Sequence, residues 1–151
     1  MRGNVIAANT GSGVLIDTAA NNSVVGNTIG LGAEGGAALG NANNGAPGRN
    51  ATGGTYIRGN VVSANSADGI SFTNATGGAV VSGNGVGLDA TGTLDRGNGG
   101  DGINVDSSSN IVIGGSTTGE RNVISGNEGR GILLYGSTGT WIAGNIIGLD
   151  A

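Results

Sequence analysis

Asn122-Val123-Ile124-Ser125-Gly126-Asn127 is the third writing of one phrase; Asn4-Val5-Ile6-Ala7-Ala8-Asn9 and Asn60-Val61-Val62-Ser63-Ala64-Asn65 precede it. Shorter echoes stand between the copies, each an Asn followed two places on by a β-branched aliphatic: Asn27/Ile29, Asn84/Val86 and Asn145/Ile147. The six anchors Asn4, Asn27, Asn60, Asn84, Asn122 and Asn145 are separated by 23, 33, 24, 38 and 23 residues. A constant anchor at variable spacing reads as a solenoid, in which one rung is recopied and insertions collect in loops.

Working outward from the anchors, a G-φ-x-φ strand recurs with Val14/Ile16, Ile70/Phe72, Ile103/Val105 and Ile132/Leu134 at its flanking positions. The residue between them is Leu15, Ser71, Asn104 or Leu133, which is chemically mixed. Side chains alternate along a strand, so the uniform set faces inward. In a second strand Val24, Val81, Val112 and Ile142 are assigned inward, with Ser23, Val80, Ile111 and Trp141 pointing out. Ile6, Ile29, Val62, Val86, Ile124 and Ile147 form a third inward stack, just after the anchors. Three short strands per coil, stacked in parallel over five to six coils, make an all-β parallel β-helix with a triangular aliphatic core. Residues 1–151 form a single such domain. With coils about 4.8 Å apart the rod is roughly 25–30 Å long.

The anchoring Asn residues are expected to take left-handed corners and to hydrogen-bond to one another along the axis. A second ladder is expected three residues past the aliphatic, at Asn9, Asn65 and Asn127 on one coil type and Asp89 and Asp150 on the other. One coil departs from the pattern: Gly45-Ala46-Pro47-Gly48 stands where G-φ-x-φ belongs, with small inward residues and one backbone donor lost. After it, Asn50 to Asn60 aligns two ways, with Tyr56 either in the second strand or in a loop.

Composition narrows the function classes. Gly is 35 residues and Asn 19, yet 36% of the chain is hydrophobic and falls in short regular runs, which argues against disorder. No apolar run approaches the roughly 20 residues of a membrane-spanning helix. Cys, His and Lys are absent, and the net charge is −4, which disfavours nucleic acid and anionic membranes as partners. The six Arg are dispersed along the sequence, so no basic groove is expected. The chain opens at Met1-Arg2-Gly3-Asn4 without a signal-peptide core and closes at Ile147-Gly148-Leu149-Asp150-Ala151, each inside a rung and without a cap. Two expectations follow: flanking repeats of a longer chain, or homo-oligomers stacked end to end or edge to edge.

Arg121 to Asn127, Gly102-Ile103-Asn104-Val105 and Gly83-Asn84-Gly85-Val86-Gly87-Leu88-Asp89-Ala90-Thr91-Gly92-Thr93 resemble the repeats of secreted or surface bacterial parallel β-helix proteins with pectate-lyase-like solenoids. The resemblance covers essentially the whole chain. It implies a right-handed coil and an extracellular or cell-surface setting, in adhesin-like modules or polysaccharide-active enzymes.

Reactive chemistry is thinly represented. Acid/base work or Ca²⁺ binding needs clustered carboxylates, whereas Asp17 and Asp106 occupy equivalent turns three coils apart. Asp89, Asp95 and Asp101 share one Gly-rich loop and are the Ca²⁺ candidates; the equivalent loop has Gly32, Ala38 and Asn44 there, which favours a solvated loop. Trp141, Ile111 and Val80, joined by Tyr56 under one alignment, form an apolar stripe that would stack on sugars or bury against a partner. The leading expectation is a non-enzymatic structural or surface-interaction solenoid without cofactors, self-associating into filaments or part of a larger adhesin-like protein. The alternative is a carbohydrate-binding or degenerate polysaccharide-active module.

Overall fold

A computed structural model describes residues 1–148, so Asp150 of the expected second ladder lies outside the described residues. The first coil contains β1 (Val5–Ile6), β2 (Ile16–Asp17) and β3 (Ser23–Val25), and the second β4 (Thr28–Ile29), β5 (Ala46–Arg49) and β6 (Thr55–Arg58). The third contains β7 (Val61–Val62), β8 (Ile70–Thr73) and β9 (Ala79–Ser82), and the fourth β10 (Gly85–Val86), β11 (Ile103–Asp106) and β12 (Val112–Gly114). The fifth holds β13 (Val123–Ile124), β14 (Ile132–Tyr135) and β15 (Trp141–Ala143), and β16 (Ile146–Ile147) begins a further turn. Every third strand pairs in parallel. Sheet I is β1-β4-β7-β10-β13-β16, sheet II is β2-β5-β8-β11-β14 and sheet III is β3-β6-β9-β12-β15. This is the expected parallel β-helix, with three short strands per coil.

Its interior is one continuous aliphatic stack. Ile29, Val62, Val86 and Ile124 from sheet I are fully buried against Ile70, Phe72, Ile103 and Val105 from sheet II and Ile57, Val81 and Ile113 from sheet III. Tyr56 belongs to β6, opposite Val80, with its neighbour Ile57 inward; of the two alignments, the strand is the correct one. The Pro47 strand is paired on both flanks, through Ile16↔Gly48 and Ala46↔Ile70. Its small inward residues are matched by the largest core side chain. A Cβ on Gly48 would stand 3.0 and 3.1 Å from two ring carbons of Phe72, so the ring occupies the space Gly48 leaves empty.

One assignment slips by a residue. Val112 pairs with Val80 and Trp141 on the outer face of sheet III, while Ile113 faces inward beside Val81 and Ile142. Ile111, expected outside, is fully buried at the corner before β12. Ile111-Val112-Ile113 is apolar throughout, so alternation of polarity cannot choose its face. The register is set instead by Gly114, whose φ of 90° places the following corner.

All six anchors form the expected first ladder. The side-chain amide of Asn60 donates to Asn84 Oδ1 at 3.0 Å, that of Asn84 to Asn122 Oδ1 at 2.9 Å and that of Asn122 to Asn145 Oδ1 at 2.8 Å; Asn4 and Asn27 continue the line below. None of these Asn is left-handed. The positive φ is taken by the preceding Gly3, Gly26, Gly59, Gly83 and Gly144, so backbone freedom and hydrogen bonding are divided between neighbours. The second ladder runs Asn9-Asn41-Asn65-Asn98-Asn127. Asn98 holds the place expected for Asp89, and Asn41 supplies the rung of the second coil, for which no residue was expected, because in both coils the chain detours into a long loop before returning to the corner.

The Gly48–Phe72 fit is testable. Gly48→Ala is expected to lower stability by about 1–3 kcal/mol through overpacking, and Phe72→Leu added to it to recover part of that loss. Chemical denaturation of the two single variants and the double variant measures the coupling, and strict additivity would contradict this packing.

Candidate functional surface

The long loops are two fingers projecting between sheets I and II. Antiparallel bridges Leu31↔Ala38 and Leu88↔Asp95 close their stems. Gly30 and Gly87, with φ of 91° and 88°, are required there, because a Cβ on either would overlap a carbonyl oxygen of the neighbouring coil, Ser63 or Ser125. The coil between the fingers supplies a clasp: Ser63 Oγ donates to Leu88 O at 2.7 Å and accepts from Gly87 N at 3.1 Å. The fingers touch over this coil, where Ala90 N donates to Gly35 O and Arg96 Nε to Gly36 O at 2.7 Å.

The three finger carboxylates serve separate ends. Asp89 Oδ1 accepts Thr93 N at 2.8 Å and Leu94 N at 3.0 Å, and its Oδ2 accepts the Thr91 hydroxyl at 2.7 Å. These bonds, the Leu94 amide foremost, stabilise the anion and bring its pKa from 3.8 down to about 2. Asp95 accepts Gly97 N in its own loop. Asp101 belongs to a third axial line that repeat counting missed: Asp68 N donates to Asn44 Oδ1, Asp101 N to Asp68 Oδ1 and Arg130 N to Asp101 Oδ1. The recurrence of Asn44, Asp68 and Asp101 just before a Gly was the available signal. Among the described residues no three His, Cys, Asp or Glu side chains are grouped to hold a metal ion.

Sheet III carries the apolar stripe. Ser23, Tyr56, Val80, Val112 and Trp141 are in register on its outer face, with Tyr56 42% and Trp141 50% exposed and the two valines half-buried between them. Val112 stands where Ile111 was expected. The guanidinium of Arg58 lies over the Tyr56 ring, 4.7 Å from its centroid.

The arginines are less dispersed than the sequence suggests. Arg49 pairs with Asp17 at 2.8 Å, Arg130 stands 3.6 Å from Asp101, and Arg96 is committed to the fingers. Arg2 and Arg58 stand in line along the edge where sheet III turns into sheet I. Glu120, not Arg121, continues that line above Ser82 and interacts electrostatically with Arg58; Arg121 lies one residue on, at the corner. All three arginines are exposed, and among the described residues none forms an ion pair. Arg2 and Arg58 share a trough of about 360 Å³ with Val25, Ser82, Gly83 and Glu120. The Glu120 carboxylate there is turned onto the Thr117 amide and hydroxyl at 3.0 and 2.9 Å.

Comparisons with family models, curated proteins and solved structures return no match.

Asp89 gives a pH-dependent test of the fingers. Its folded pKa lies below 3.8, so its stabilising contribution is present above pH 4 and is lost as the pH falls towards 2. Amide exchange at Thr93 and Leu94 is expected to accelerate over that interval in the wild type, relative to amides in β8 and β11. Asp89→Ala should exchange rapidly at every pH. An unchanged pH profile in Asp89→Ala would contradict the assignment.

Proposed function

We propose that this chain is a structural, non-enzymatic solenoid of an extracellular or cell-surface protein, joined axially to further coils of its own kind. The observation behind this reading is that both Asn ladders keep one donor-to-acceptor direction through every described coil. Each coil therefore presents donors on its upper face and acceptors on its lower face, in matching register. The inward stacks repeat the same complementarity in apolar form. Val105, Ile113 and Ile124 are fully covered by the coil above, whereas Leu134, Ile142 and Ile147 on the uppermost described coil are 43%, 41% and 47% exposed. A coil underside, of this chain or of another copy, fits that face; such head-to-tail contact is heterologous and propagates into a rod.

Axial association is expected to appear as rods lengthening with concentration, in steps of about 25 Å set by five coil spacings. Electron microscopy combined with sedimentation over a concentration series measures this. Monodisperse single rods at the highest concentration would contradict self-association of this chain.

A further inference from the structure

We propose that copies of this chain join by strand exchange: residues 142–147 of one copy displace residues 1–6 of the copy above and take their place. This rests on the axial association proposed above and specifies its joint. The two segments are the same rung written twice. Met1-Arg2-Gly3-Asn4-Val5-Ile6 and Ile142-Ala143-Gly144-Asn145-Ile146-Ile147 share the Gly-Asn corner, a β-branched outward residue and an inward Ile. They also hold equivalent places at opposite ends of the rod. Arg2 bridges to Val25 below sheet III, as Ala143 pairs with Gly114 above it, and β1 and β16 are the outermost strands of sheet I.

The strand count calls for this exchange. Among the described residues sheet I has six strands, and residues 1–3 add a sixth row to the five strands of sheet III, whereas sheet II has five. Two copies stacked intact would put β1 on β16 and residues 1–3 on β15. A slot one strand wide would then remain above β14, with Leu134 still uncovered. Withdrawing residues 1–6 of the upper copy closes all three sheets at once, with β2 over β14, β3 over β15 and β4 over β16. The bonds given up have counterparts in the lower copy. Val25 N donates to Met1 O at 3.0 Å, Thr28 N to Asn4 O at 2.9 Å and Gly30 N to Ile6 O at 2.8 Å; the carbonyls of Ile142, Asn145 and Ile147 occupy the equivalent points. Asn145 Nδ2 replaces Asn4 Nδ2 as the donor to Asn27 Oδ1, so the first ladder runs on through the joint. Burial favours the change. Met1 is 60% exposed and gives up little, whereas Ile142 and Ile147, 41% and 47% exposed, come to lie beneath Val24 and Ile29. Exchanging one copy of an element for its equivalent is a low-cost route to association. In the single rod, residues 1–6 cover the underside and restrain assembly.

Loosening residues 1–6 should therefore promote assembly, whereas it would hinder assembly if that segment itself formed the joint. Sedimentation over a concentration series compares the wild type with three variants. Ile6→Ala trims the inward side chain of the displaced strand, and Asn4→Ala removes its hold on Asn27. Each is expected to lower the concentration of half-assembly about tenfold. Ile147→Ala, which trims the incoming strand, should raise it about tenfold. A cooperative thermal transition establishes that each variant is folded. Asn4 is exposed, so Asn4→Ala carries the test even where Ile6→Ala does not fold. Unchanged or weaker assembly of Asn4→Ala, in a wild type that does assemble, would overturn the exchange and leave axial stacking of intact copies standing. Single rods in the wild type and every variant at all concentrations would overturn the exchange and the axial reading together.

Discussion

The amide-to-amide hydrogen bond between stacked asparagines sets the terms for the rest of the molecule. In an interior rung the Oδ1 of Asn84 accepts both the backbone amide and the side-chain amide of Asn60, at 2.9 and 3.0 Å. The side-chain nitrogen of Asn84 then donates to Asn122 Oδ1 and to the Ile57 carbonyl, each at 2.9 Å. The rung is fully satisfied although only 1% exposed, as a buried amide has to be. It also fixes where each corner lies, which puts Val62, Val86 and Ile124 directly above one another. The aliphatic stacks supply the main driving force for burial, and the ladder supplies their register.

That division explains which features were legible in the sequence. The inward stack of sheet II follows from alternation, because the position between its aliphatics is chemically mixed (Leu15, Ser71, Asn104, Leu133), and that of sheet I follows from its fixed place two residues past each anchor. In Ile111-Val112-Ile113 there is no contrast, and the reading slipped by one residue. The second ladder was half legible. Asn9, Asn65 and Asn127 follow their aliphatics at a constant distance, whereas Asn41 and Asn98 are displaced by fingers whose length no local pattern reveals. Five of the six anchors follow a Gly, and the left-handed backbone belongs to that Gly and not to the expected Asn, because either residue satisfies a corner and only coordinates separate the two roles.

The surface was less legible, because its organisation lies between coils. Arg2, Arg58 and Glu120 are separated by 56 and 62 residues and read as scattered charge, but winding the chain brings them into one line. The three carboxylates of a single loop read as one cluster, and the fold instead distributes Asp89, Asp95 and Asp101 to a loop turn, a finger base and an axial line. In a solenoid, neighbours on the surface come from different coils, so proximity in sequence predicts it poorly while the coil period predicts it well.

Equilibrium unfolding of Asn84→Ala in denaturant, with Asn43→Ala at an exposed position as reference, tests the ladder most directly. Truncation leaves the Asn60 amides and the Ile57 carbonyl without their partner, so a loss of about 3 kcal/mol or more is expected, against about 0.5 or less for Asn43→Ala. Equal, small losses in both variants would contradict the claim that the ladder holds the coils in register.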